Sequence, residues 1–215
     1  MRRFLVLAFA ASILAACGGG SNPSAPATPS PPSAQSVASS SSDFTGIHAC
    51  AESGSYDAYL TAEKTKGSDQ YTKDSQDWSN LKAGGANDGY VAVYAENATD
   101  CGQFGSGTPT GKAATVIAFR FKDATSASAS YKSETSTFHM TDADVATIKA
   151  AGGTVEQGTA TGLGVNSILV TIGIGTTTVY AAVWQNKEFV VAVLVYNLPL
   201  TDGASAATKV NGRIR

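Results

Sequence analysis

A serine nucleophile needs a base, and this chain of 215 residues offers two histidines for that work, His48 and His139. Serine is plentiful, but the glycines that would expose a nucleophile on a strand–turn–helix elbow are misplaced. In Gly105-Ser106-Gly107 they flank the serine directly instead of standing two positions away. Gly203-Ala204-Ser205-Ala206-Ala207 comes nearer but ends in alanine, and an Ala/Ser-rich helix start explains it as well. Gly105 to Lys112 has the outline of a phosphate loop. It fails because Ser106 stands where the first glycine belongs and Ala113 replaces the hydroxyl that would reach Mg²⁺. Gly158 to Gly164 and Gly173-Ile174-Gly175 lack the strand-to-helix setting of a nucleotide site and read as a loop and a hairpin. Asp142-Ala143-Asp144 suits the positive end of a helix, and no further acids follow at Ca²⁺-loop spacing. His48-Ala49-Cys50 is only a fragment of a metal site. The expected catalytic set is therefore empty, and no metal or cofactor is expected.

Charge excludes another class. Fifteen basic and 17 acidic residues lie scattered along the chain, which leaves no electrostatic footprint for nucleic acid. Charged residues make up 15% of the sequence, against roughly 25% in an ordinary soluble domain. The longest apolar run falls short of the roughly 20 residues of a spanning helix.

The N-terminus reads as an address. Arg2 and Arg3 give a positive start, Phe4 to Ile13 an apolar stretch of signal-peptide length, and Leu14-Ala15-Ala16-Cys17 follows. These residues resemble the lipobox of bacterial lipoproteins. The resemblance implies a signal peptide over residues 1–16, cleavage after Ala16, and diacylglyceryl transfer to the Cys17 thiol with further acylation (palmitate-type chains) in many species. Two or three acyl chains at about 0.8 kcal/mol per buried CH₂ hold a soluble domain on a membrane. Gly18 after the cysteine resembles the signal for outer-membrane sorting. The expected location is thus the cell envelope: the outer membrane in a diderm, otherwise the outer face of the plasma membrane.

Residues 17–42 hold the lipidated Cys17 and a tether. From Gly18 to Ser42 there is no charge and no aromatic residue, and Pro23, Pro26, Pro29, Pro31 and Pro32 fall here. Such a segment buries too little apolar surface to order itself, so disorder is expected throughout. With Cys17 lipidated, Cys50 and Cys101 remain. In an exported protein without a Cys-x-x-Cys pair they are expected to form a structural disulfide.

Residues 43–215 read as one globular domain. Tyr56, Tyr59 and Ala62, and then Thr72 to Ala83 with Trp78 and Leu81, space as two short helices whose aromatics face the core rather than a ligand. Tyr90 to Asn97 and Thr115 to Lys122 alternate as half-buried strands, joined by a Gly-rich loop from Cys101 to Lys112. Asp123 caps a helix with Ala124, Ala127, Tyr131 and Phe138 on one face. Thr141 to Asp144 opens another that stops at Gly152-Gly153. A meander follows, of which Phe189 to Tyr196 is apolar on both faces and hence central. A last helix begins near Thr201-Asp202 with Ala204, Ala207, Val210 and Ile214 inward. The fold expected is α+β, a mainly antiparallel sheet of about 5–6 strands with a C-terminal meander, packed by several short helices. A loose echo between Val116 to Ala127 and Val190 to Ala206 raises the question of duplication.

The function this supports is a lipid-anchored envelope protein, a non-catalytic module that binds a ligand or an envelope partner. Its rivals are an envelope hydrolase with a serine nucleophile and a carrier of apolar ligands. A serine within reach of His48 or His139 favours the hydrolase, and a large apolar cavity favours the carrier.

Overall fold

The period-two stretches of the sequence assemble into one antiparallel sheet with helices on both faces. A computed structural model of the chain describes residues 31–40, 42–67, 70–102, 109–133, 140–175 and 177–214. In order these form α1 (Ala34–Ala38), β1 (His48–Ala49), β2 (Gly54–Ser55), α2 (Tyr56–Lys66), α3 (Gln70–Ala83), β3 (Ala86–Ala95) and α4 (Ala98–Gly102). Then come β4 (Ala113–Phe121), α5 (Ala124–Lys132), α6 (Asp142–Ala150), β5 (Thr154–Gln157), a 3₁₀ turn at Gly158–Thr161, β6 (Ser167–Ile174), β7 (Thr177–Asn186), β8 (Phe189–Tyr196) and α7 (Leu200–Gly212). The strands order as β1-β3-β4-β8-β7-β6-β5, with β2 also paired to β3. Every pairing is antiparallel.

This is the expected α+β class with its C-terminal meander, although the sheet has eight strands. The extra ones are β1, β2 and β5, of two to four residues. Stretches that short carry no alternation to read. β8 is central as its continuous apolar run requires, but it is buried on both faces only over Phe189, Val190 and Val191; further along, Ala192, Leu194 and Tyr196 on one face are half-buried. β4 differs from its reading as a half-buried strand. Ala114, Val116 and Ala118 are as buried as Phe119 and Phe121, because helices cover both sides.

The central strands β3, β4 and β8 deal their side chains alternately to two cores. One core holds Val116, Ala118, Trp184, Phe189, Val191 and Val193 under α1 and α7. The other holds Val91, Val93, Phe119, Phe121 and Val190 under α2, α3 and α5. There Tyr56, Trp78 and Phe119 meet with ring centroids 4.9–5.5 Å apart, an arrangement suited to edge and offset contacts. α5 and α7 therefore sit on opposite faces of the sheet. That placement does not fit a simple repeat of one strand–helix unit across the β4–β8 pair.

The helix ends follow the sequence chemistry. Ser55 caps α2, Asp123 caps α5 through the Ser126 amide at 2.7 Å, and Thr141 with Asp144 makes a reciprocal capping box on α6. α5 stops at Lys132, so the face drawn from Ala124 to Phe138 is cut short, and Phe138 lies outside the described residues. Ala62 is exposed and Glu63 takes the buried position on α2. On α7, Ala204 is exposed and Ala206 lies inward beside Ala207 and Val210.

One expectation is overturned. The sequence places the tether through residue 42, yet α1 is fully buried at Ala34, Val37 and Ala38 and belongs to the first core. Ser33 caps it, and the Ala34 amide donates to Asp88 at 2.7 Å. The chain that follows is strapped to α7. Arg213 donates two hydrogen bonds to the Asp43 carboxylate at 2.7 and 2.8 Å and a third to the Val37 carbonyl, while Lys209 donates to the Ser42 carbonyl. Small side chains at i, i+3 and i+4 let this short helix lie close on the sheet. Averaged with the prolines before them, they read as polar linker.

Candidate functional site

The disulfide is the first element of the site. Cys50, just after β1, is joined to Cys101 in α4, with Cα atoms 5.7 Å apart. At a separation of 51 residues such a bond contributes about 4 kcal/mol in the chain-entropy model. Glu52 stands beside the two sulfurs, but both are committed to each other and neither is a thiolate for a metal.

Asp100, next to that bond, organises the loop entering β4. Its carboxylate is 2% exposed and accepts from the Thr110 amide and hydroxyl on one oxygen. The other oxygen accepts from the Gly111 amide at 3.1 Å and the Asn97 amide group at 2.7 Å. Burial alone would raise its pKa; the hydrogen bonds from Gly111, Thr110 and Asn97 outweigh it and hold the group below the usual carboxylate value. A Cβ on Gly111 would collide with this carboxylate, so glycine is required there by the close approach.

Between this loop and the start of α3 lies a cavity of about 430 Å³, within the usual range for small-ligand sites. Val93, Thr115 and Leu194 pave its floor from three adjacent strands, as their registers place them side by side. Ala113 and Tyr196 extend it, Asp100 and Pro109 form one wall, and Tyr59, Gln70 and Asp74 form the other. The Tyr59 hydroxyl donates to Asp74 at 2.6 Å, and the Gln70 amide group donates to its other oxygen at 2.9 Å. Burial, the hydrogen bond to Asp74 and the charges of Asp74 and Glu63 push the Tyr59 hydroxyl far above its ordinary pKa. Burial also raises Tyr196. Both phenols stay neutral near pH 7. The walls therefore present neutral phenols beside two hydrogen-bonded carboxylates.

The residues tested for chemistry fall elsewhere. His48 is exposed on β1, and its ring bonds to no serine among the described residues. His139 and the Gly105-Ser106-Gly107 segment lie outside the described residues. Ser205 is exposed within α7, far from any elbow geometry. Asp142 and Asp144 open α6 as expected. Gly175, with φ of +61°, turns the β6–β7 hairpin. The aromatic expectation divides: Tyr56 and Trp78 are core, whereas Tyr59 belongs to the core and also lines the cavity. Asp74, Asp100 and Tyr196 were not singled out from sequence. Their common feature is distance in the chain, since no local motif links residues in α3, α4 and β8.

No helix among the described residues is long and apolar enough to cross a membrane. No protein-family model matches the chain, and no characterised protein and no solved structure resembles it at a significant level.

Proposed function

We propose that this chain is an exported, lipid-anchored envelope protein whose folded unit binds a small ligand without transforming it. The anchor is Cys17, on the strength of the Leu14-Ala15-Ala16-Cys17 pattern. The cavity on the β3–β4–β8 floor carries the binding part of the reading. Its two carboxylates are engaged by neighbouring donors, and its phenols do not ionise near neutrality. Those carboxylates also set it apart from the wholly apolar space that a carrier of apolar ligands needs.

The chain enters the folded unit at Pro32, whose carbonyl accepts from Arg120 at 3.4 Å, beside Asp88 at the start of β3. The cavity lies at the other end of the same strands, at Val93, Ala113 and Tyr196. Five to seven strand residues separate the two, roughly 20 Å.

The test has two arms, both on the full chain in a bacterium that processes lipoproteins. Cys17→Ser should move the protein out of the membrane fraction or leave it unprocessed; unchanged fractionation and mass would remove the anchor from the reading. In the second arm, a screen of water-soluble small molecules should find compounds that raise the melting temperature of the wild type and not of Leu194→Trp, which fills the floor. Compounds that stabilise both equally would place binding elsewhere.

A further inference from the structure

We infer that the cavity takes an organic cation: a small molecule with an ammonium group and an apolar body, seated with the ammonium on Asp74. This rests on the ligand-binding reading above. A carboxylate offers about four acceptor positions. Those of Asp100 are filled by Thr110, Gly111 and Asn97, so it acts as a loop clamp. Among the described residues Asp74 accepts one hydrogen bond on each oxygen, from Tyr59 and from Gln70, and one position on each remains. The same two donors fix its carboxylate in place before any ligand arrives.

Charge selects the class. Among the described residues lining the cavity there is no Lys, Arg or His, so an anionic group would face two carboxylates with no counter-charge. A neutral donor can occupy a position on Asp74, but a charged donor makes a shorter bond that is roughly twice as strong. The rings of Tyr59 and Tyr196 line the same space, and an ammonium within about 6 Å of a tyrosine ring face gains further attraction. Val93 and Leu194 give the apolar body a floor to cover.

Three probes of matched shape separate charge from fit: 2-phenylethylamine, 2-phenylethanol and 3-phenylpropionate, titrated calorimetrically into the full chain. The amine should bind about tenfold more tightly than the carboxylate, the effect of one charge-assisted bond set against a repulsion. Asp74→Asn, which keeps an acceptor for Tyr59, should erase that preference while the alcohol binds as before. Leu194→Trp should abolish binding of all three. If the carboxylate binds as tightly as the amine, or the preference survives Asp74→Asn, the cation assignment is wrong and cavity binding stands. If no probe binds at millimolar concentration, or Leu194→Trp changes nothing, the cavity reading falls with it.

Discussion

Asp100 shows how a single residue shapes this site. One buried carboxylate collects four hydrogen bonds and thereby fixes the Pro109–Lys112 approach to β4, one wall of the cavity. Asp100→Asn would leave the Thr110 and Gly111 amides competing for one acceptor, and should cost about 2–4 kcal/mol of stability. Its pH dependence has a definite sign. The folded-state pKa lies below the ordinary 3.8, so the folded chain holds that proton less tightly than the unfolded chain. The stabilisation is complete above about pH 4 and is lost as pH falls through the lower folded value. Asp123, capping α5, acts in the same direction. Thermal unfolding measured from neutral to acid pH should show a shallower acid-side decline in Asp100→Asn than in the wild type; parallel curves would contradict the assignment. Of the residues that matter, Cys50 and Cys101 were legible because cysteines are few and the lipobox-like start led to an expectation that they pair. Asp74 and Asp100 were not, because each acid taken singly looks like surface charge, and only the fold brings them to one space.

At the scale of elements, α1 and its strap carry the clearest lesson. Strands β3, β4 and β6 were readable because their residues alternate by face, and β8 because its apolar run is continuous between turn signals. Helices α5 and α6 were readable because Asp123, Thr141 and Asp144 announce their starts. A five-residue helix of Ala, Gln, Ser and Val has too little amphipathic length to show, and its order comes from what it packs on. The Asp43–Arg213 pair makes that packing testable. The Asp43 side chain is fully buried and the Arg213 side chain 24% exposed, so Arg213→Met strands a buried carboxylate. The expected cost is about 3 kcal/mol, with α1 released and limited proteolysis cutting before Phe44. An intact N-terminal segment in that variant, at unchanged melting temperature, would mean that α1 is held by the sheet alone.

Over the whole molecule, the two cores give a unit in which most helices cement the sheet, while a cavity remains between the α3 start and the Asp100 loop, above Val93, Thr115 and Leu194. A second, shallower hollow of about 300 Å³ lies near Tyr131, Gln157 and Ile168, beside Val165, which is 75% exposed. It provides an internal control. Amide correlation spectra of the full chain, titrated with a mixture of small aromatic and aliphatic amines and alcohols, distinguish the two hollows residue by residue. Shifts should concentrate at Gln70, Asp74, Val93, Thr115, Leu194 and Tyr196, saturate together and disappear in Leu194→Trp. Shifts concentrated at Gln157, Val165 and Ile168 instead, with the β3–β4–β8 floor silent, would contradict it.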